Sequence, residues 1–294
     1  MALTPHDRRF RFGVVAAAAR GGEEWTGLAR RVEELGYSTL LCPDTTGTLA
    51  PFAALAAAAA VTSTLRLGTY VLASPLRTPA AVAWEAASLD RLSDGRFELG
   101  LGAGRPDSEQ DAARLGLPFG SAGERVGRLE QTLDAVRERF AAASAPGPRR
   151  DAVHGVQQPL PPVLVAGTGP RMVRLAAARA DILALGLPAT SNEEDLVAKT
   201  GELRALVGDG FDHLELNLNL ALIGEDFPPH ARAWLGADPA ELLRSGSITV
   251  LTGTPREMAD KLLRRRERTG VSYLSVNGMF AEAFAPVVEL LAGE

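Results

Sequence analysis

The sequence predicts a single (β/α)8 TIM barrel spanning residues 1–294. Three observations predict it. Eight short apolar segments alternate with helix-patterned segments from residue 10 to the end of the chain. Several of these strands are apolar on both faces, the pattern of a parallel sheet covered by crossover helices. The chain also has the length and core material of one barrel domain, with 294 residues, 46% of them hydrophobic and 23% charged.

The elements follow in order. FRFGVVAAA (10–18) reads as the first strand, and EEWTGLARRVEELG as a helix with Trp25, Leu28, Ala29, Val32 and Leu35 on one face, stopped by Gly36. STLLCP (38–43) is the second strand, FAALAAAAAVTS the next helix, and LRLGTYVLA (65–73) the third strand. Thr78 and Pro79 make a cap and first-turn pair for the helix through VAWEAASLDRL, which stops at Ser93-Asp94-Gly95. RFELGLGAG (96–104) is strand four, followed by a charged loop and an amphipathic helix from about Glu124 to Ala142.

ASAPGPRRDAVHGVQQPLPP (143–162) has the composition of a linker. It is read as a connector inside the domain, because the strand-helix unit resumes at once: PVLVAG (162–167), a helix over 169–179, ADILALG (180–186) and the helix EEDLVAKTGELRALV. HLELNLNLALIG (213–224) is the seventh strand. PREMADKLLRRRERTG is a helix, VSYLSVNG (271–278) the last strand, and FAEAFAPVVELLAG the closing helix. A doubly wound sheet is the structural alternative, but VVAAAARGG stands where its Gly-x-Gly-x-x-Gly would follow strand one.

Charge and composition narrow the function. A net charge of -5 with only two lysines, Lys199 and Lys261, leaves no footprint for nucleic acid. Cys42 is the single cysteine, which excludes an internal disulfide and a cysteine metal cage and fits the reducing cytoplasm. RRFRFGVVAAAAR has the order of a secretion signal, yet its apolar patch is short and ended by Arg20. The longest apolar run, Phe52 to Val61, has ten residues, and a bilayer helix needs about 20. No membrane span is expected. The four histidines, His6, His154, His213 and His230, show no metal-ligand spacing, and no Gly-x-Ser-x-Gly elbow marks a hydrolase.

In a barrel, ligands sit at the carboxyl ends of the strands. AGTGPRM after strand five offers a helix N-terminus behind Gly167 and Gly169, either a phosphate cradle or a tight turn that needs glycine for its backbone angles. Gly100, Gly102 and Gly104 share one face of strand four. A flat ligand could lie there, or a neighbouring element could pack closely. Arg105, Asp107, Ser108 and Glu109 follow as a solvated loop, Asp44 ends strand two as a cap, a ligand contact or an acid, and Thr45, Thr46 or Thr48 is a candidate cap for the next helix.

GYSTLLCPD, LRLGTYVLASPLRTPAAVAWEAASLDRLSDGRFELGLGAG, LVAGTGPRM and LTGTPREMADKLLRRRERTGVSYLSV together resemble the bacterial luciferase-like superfamily, over nearly the whole chain. Within it they resemble the coenzyme F420 (deazaflavin) dependent oxidoreductases. The resemblance implies a barrel of the luciferase-like type with the deazaflavin at the carboxyl ends of the strands. Ala166, Gly167, Thr168 and Gly169 would take its phosphate, with Gly186 a more distant match. Asp44, Gly104 and Ser108 would approach the ring or ribityl chain, and a non-prolyl cis peptide behind the ring would fall at Tyr70-Val71.

Many members carry histidine after the strand-two aspartate, where this chain has Thr45. On that departure Thr45 orients substrate or water, and Glu109 is the candidate proton donor. The implied activity is hydride transfer between reduced deazaflavin and a C=C or C=N bond of a small molecule, such as an imine or enamine intermediate of natural-product biosynthesis. The alternatives are an FMN-dependent two-component monooxygenase and a non-catalytic flavin-binding barrel. Relatives are commonly homodimers, and the Ala-rich faces 53–60 and 80–87 permit close approach, although core packing explains them equally.

Overall fold

The computed structural model describes residues 8–141, 153–225 and 238–294; His6, His230 and residues 143–152 of the connector lie outside them. In chain order the elements are β1 (Arg11–Val15), α1 (Gly22–Glu34), β2 (Thr39–Cys42), α2 (Pro51–Ala59), β3 (Arg66–Thr69), β4 (Leu72–Ala73), α3 (Pro79–Leu92), β5 (Phe97–Gly102), α4 (Ser108–Arg114) and α5 (Ala122–Ala141). After them come β6 (Val163–Ala166), α6 (Pro170–Arg179), β7 (Ile182–Ala184), α7 (Glu193–Val207), β8 (Glu215–Leu220), β9 (Leu222–Ile223), α8 (Pro239–Arg244), β10 (Val250–Leu251), α9 (Pro255–Thr269), β11 (Val271–Asn277) and α10 (Ala281–Leu291).

Local chemistry explains the boundaries. Thr78 caps α3 by accepting from the Ala81 N–H, with Pro79 at the first position, and the helix ends where Asp94 and Gly95 take positive φ of 52° and 78°. Asn192 and Asp195 form a capping box on α7, as Thr254 and Glu257 do on α9. Four expectations change. The third strand divides into β3 and β4 around Tyr70-Val71, which is a cis peptide as the resemblance implied. The seventh divides into β8 and β9, and β9 pairs with the unforeseen two-residue β10. The charged loop after strand four holds a helix, α4. The threonines after Asp44 do not cap α2, whose N-cap is Ala50 followed by Pro51; Thr48 Oγ1 instead donates to the Thr45 carbonyl at 2.9 Å.

Close contacts group the chain into two compact units. The first joins Ala16–Glu33 to Thr39–Ala166. Its parallel strands run in the order β2-β3-β5-β6, with β4 also on β5 and Gly102 opposite Ala166. Buried Leu40, Leu41, Leu67, Phe97, Leu99 and Leu101 form its sheet core. Helices α2 and α3 bury Ala54, Leu55, Ala58, Ala59, Val82, Ala83, Ala86 and Ala87, so core packing accounts for most of both Ala-rich faces. Trp84, on the same helix, is 60% exposed.

Glu33 fastens this unit's α2–β3 turn. Its Oε1 accepts the backbone N–H groups of Ser63, Thr64 and Leu65 at 2.8, 2.6 and 2.9 Å. Burial pushes its pKa up, but these donors outweigh that and hold it at about 2 against an ordinary 4.5. A depressed folded-state pKa gives stability that is fully present above pH 4.5 and lost as pH falls through about 2. Glu33→Gln is therefore expected to cost about 2 kcal/mol near neutrality, and the gap to the parent should close in acid. Urea unfolding at pH 7 and pH 3 checks both; a gap independent of pH would overturn the charge-based account.

The second unit holds β1, Glu34–Ser38 and Gly167–Glu294. Its parallel strands run β7-β8-β11-β1, with Asn219 opposite Ser275 and Ser275 opposite Gly13. Phe12 meets Phe284 edge-on at 5.7 Å, and Tyr37 Oη donates to the Ala281 carbonyl, fixing the last helix. Arg265, 2% exposed, grips Glu193 at 2.6 Å. Among the described residues no helix is long and apolar enough to cross a membrane.

Candidate cofactor site

In the first unit the strand-four glycines serve the chain's own packing. A Cβ on Gly100 would lie 2.0 Å from the Thr69 carbonyl oxygen and 3.1 Å from Val71 Cγ1; one on Gly102 would lie 2.8 Å from Val71 Cγ2. The face that could have carried a flat ligand is filled by the β3–β4 turn. Thr69 locks the approach twice, donating through Oγ1 to the Gly100 carbonyl at 2.9 Å and accepting the Gly100 N–H at 2.8 Å. Gly104, at φ +81°, leaves room for Pro75, whose Cγ would meet a Cβ at 2.9 Å.

Asp44, 9% exposed, is held by its surroundings. Its Oδ1 accepts from Arg77 Nη2 at 2.9 Å, and its Oδ2 from Arg77 Nε and the Ala73 N–H, each at 3.3 Å. Arg77 also lies 3.6 Å from Glu85, whose pKa burial raises against the pull of that guanidinium. The carboxylate thus pins the β2 exit to the segment after β4.

Two threonines follow with different fates. Thr45, half-buried, donates through Oγ1 to Thr48 Oγ1 at 3.4 Å. Thr46 donates to Asp111 on α4, and Arg114 Nη1 donates to both of them at 3.1 Å. The Thr46 hydroxyl and Arg114 hold Asp111 below the usual carboxylate range, against the opposing effect of burial. Ser108 is buried at the first position of α4, and Glu109 is exposed in its first turn; the Thr45 hydroxyl bonds Thr48 and not Glu109.

The second unit holds the turn before α6. Gly167 adopts φ +142°, and its N–H donates to the Ala184 carbonyl at 3.2 Å. Thr168 Oγ1 donates to the Gly186 carbonyl at 3.1 Å, which brings the more distant match into the same group. Gly169 is the N-cap of α6, at φ −68° and ψ 147°, with no side-chain cap, and a Cβ added to it would meet nothing within 4 Å. Helix α6 thus starts with Pro170 behind an N-cap residue that makes no side-chain cap, and a helix N-terminus of this kind can receive an anion.

Reading for motifs passes over Asn219, which lies near the carboxyl end of β8 in the alternating ELNLNL. It is exposed, and its Oδ1 accepts from the Ser275 hydroxyl at 3.0 Å. Asparagine at period two between leucines is the available signal. Among the described residues no group of three or more His, Cys, Asp and Glu side chains could hold a metal ion.

The profile of the family described as luciferase-like monooxygenase matches residues 10–226. The F420-dependent glucose-6-phosphate dehydrogenase of Beutenbergia cavernae is 32% identical over 218 residues, covering 68% of this chain and 63% of that protein. The oxygenase component of the flavin-dependent trigonelline monooxygenase of Acinetobacter baylyi is 30% identical over 169 residues, covering 52% and 41%. Among solved structures, the coenzyme F420-dependent tetrahydromethanopterin reductase of Methanopyrus kandleri superposes with a TM-score of 0.74 at 16% identity, covering 97% of this chain and 99% of the other. The fold is a (β/α)8 TIM barrel, as the alternation of segments predicted.

Proposed function

The chain belongs to the luciferase-like monooxygenase family, and from that premise we propose that it is a coenzyme F420-dependent oxidoreductase acting on a C=C or C=N bond of a small molecule. The observation that carries the reading is the uncapped N-terminus of α6 behind Gly169, which fits a cofactor phosphate. A bound deazaflavin supplies a ring carbon that exchanges hydride and does little oxygen chemistry.

The chain's residues bind and orient. Ala166, Gly167, Thr168 and Gly169 hold the phosphate, and the Gly186 carbonyl fixes the Thr168 rotamer. Asp44, Gly104 and Ser108 shape the ring and ribityl contacts together with Tyr70 and Val71, Asp44 by holding its turn through Arg77. Thr45 orients substrate or water, and Glu109 supplies the proton. An imine or enamine of a natural-product pathway suits this chemistry. The whole chain acts as one domain, in the cytoplasm, and pairs as a homodimer through the helix face that carries exposed Trp84.

The trigonelline monooxygenase relative favours a second reading, in which the same cradle takes FMN for oxygen chemistry. Parallel fluorescence titrations with F420 and FMN separate the two. F420 is expected to bind at least roughly tenfold more tightly. Tighter FMN binding would move the assignment to the monooxygenase, saturation by neither would sink both, and tight binding without turnover of any unsaturated substrate would leave the non-catalytic flavin-binding barrel. Light scattering on the same sample is expected to give twice the chain mass.

A further inference from the structure

The leucines of β8, Leu216, Leu218 and Leu220, are buried on one face, and Glu215, Asn217 and Asn219 occupy the other. The first two polar residues of that face have partners inside the unit. Arg11 lies over the Tyr273 ring at 4.2 Å and pairs with Glu215 at 2.8 Å. Asn217, fully buried, donates through Nδ2 to the Tyr273 carbonyl at 3.2 Å.

Asn219 lies one step further toward the carboxyl end, and it differs. Its side chain is exposed, yet its amide is not free to turn, because Ser275, fully buried on the paired strand, donates to Oδ1. An amide anchored by its oxygen directs its N–H2 group away from the anchor. The carboxyl ends of the strands are where this fold class takes ligands. A fixed, neutral donor suits an uncharged acceptor oxygen; a carboxylate or phosphate is better served by a cation.

We propose that Asn219 is a substrate-binding residue whose amide N–H2 donates to a neutral carbonyl oxygen of the substrate, as in an enone, lactam or conjugated amide. The assignment rests on the oxidoreductase reading above and narrows its substrate class. A hydrogen bond to a conjugated carbonyl draws electron density from the unsaturated carbon that accepts hydride, so the residue would both place and polarise the substrate. Ser275 is then a positioning residue that fixes the amide.

The chain has four asparagines, so selective ¹⁵N labelling gives four side-chain amide signals, and the one missing in Asn219→Leu is assigned directly. Titration with 2-cyclohexenone, with and without oxidised deazaflavin, is expected to shift that signal saturably, while cyclohexene leaves it in place. Asn219→Leu is expected to weaken enone binding about tenfold and to keep the parent's deazaflavin affinity. An unmoved Asn219 signal, or an equal response to cyclohexene, overturns the proposal. Deazaflavin binding with an unmoved signal defeats this subsite alone; a saturable enone shift without deazaflavin binding defeats the cofactor reading and leaves the subsite standing.

Discussion

A Gly100→Ala variant is expected to lose about 3 kcal/mol or more of stability, lowering the melting temperature by roughly 6–12 °C. The added carbon would sit 2.0 Å from the Thr69 carbonyl oxygen and 3.0 Å from its carbon, so backbone has to move. Neither side can yield cheaply, because the Thr69 hydroxyl bonds both the carbonyl and the N–H of Gly100. Relief means opening the β3–β4 turn, and with it the placement of Tyr70 and Val71. Gly127→Ala, inside α5 with nothing within 4 Å, is the control and should gain about 0.5–1 kcal/mol. Calorimetry on the two variants checks the contrast; equal melting temperatures would mean that the turn is far softer than its hydrogen bonds imply.

Gly169→Asp is expected to do the opposite: to spare or raise stability and to weaken deazaflavin binding about 100-fold or more. The position has ordinary backbone angles, φ −68° and ψ 147°, and open space for a side chain. Aspartate is a preferred N-cap and would accept an N–H of the first turn of α6, adding about a few tenths of a kcal/mol over glycine. That N–H is among the donors assigned to the cofactor phosphate, and the new carboxylate would repel it; loss of charge-assisted bonds worth about 3 kcal/mol corresponds to roughly that 100-fold. Thermal melting and fluorescence titration read the two effects separately. A more stable protein with undiminished affinity would place the phosphate elsewhere.

The local features of this fold are legible because each is written in neighbouring residues. Thr78 before Pro79 and Gly36 after an amphipathic run mark helix ends without tertiary context. What escapes depends on partners distant in the chain. The role of Gly100 is set by Thr69, 31 residues away, and the engagement of Asp44 by Arg77, 33 residues away. Asn219 gains its fixed orientation from Ser275, 56 residues on. Helix α4 is hidden because its seven residues, SEQDAAR, carry too few apolar positions to show a period. The cradle is visible in sequence but ambiguous there for another reason: glycines that admit an anion and glycines that only turn the chain are identical as letters. The Gly169→Asp titration is what would separate them.

The bonds among Thr46, Asp111 and Arg114 join the β2–α2 loop to α4, with Thr46 and Asp111 65 residues apart in sequence. Residues in one hydrogen-bonded network rarely vary independently. For anyone recombining members of this family, the β2–α2 loop and α4 therefore form a single heritable block. A chimera that imports residues 104–114 from a relative while keeping the native loop at 44–50 would break that network at its centre. Transplanted together, the two segments carry their own alignment with them.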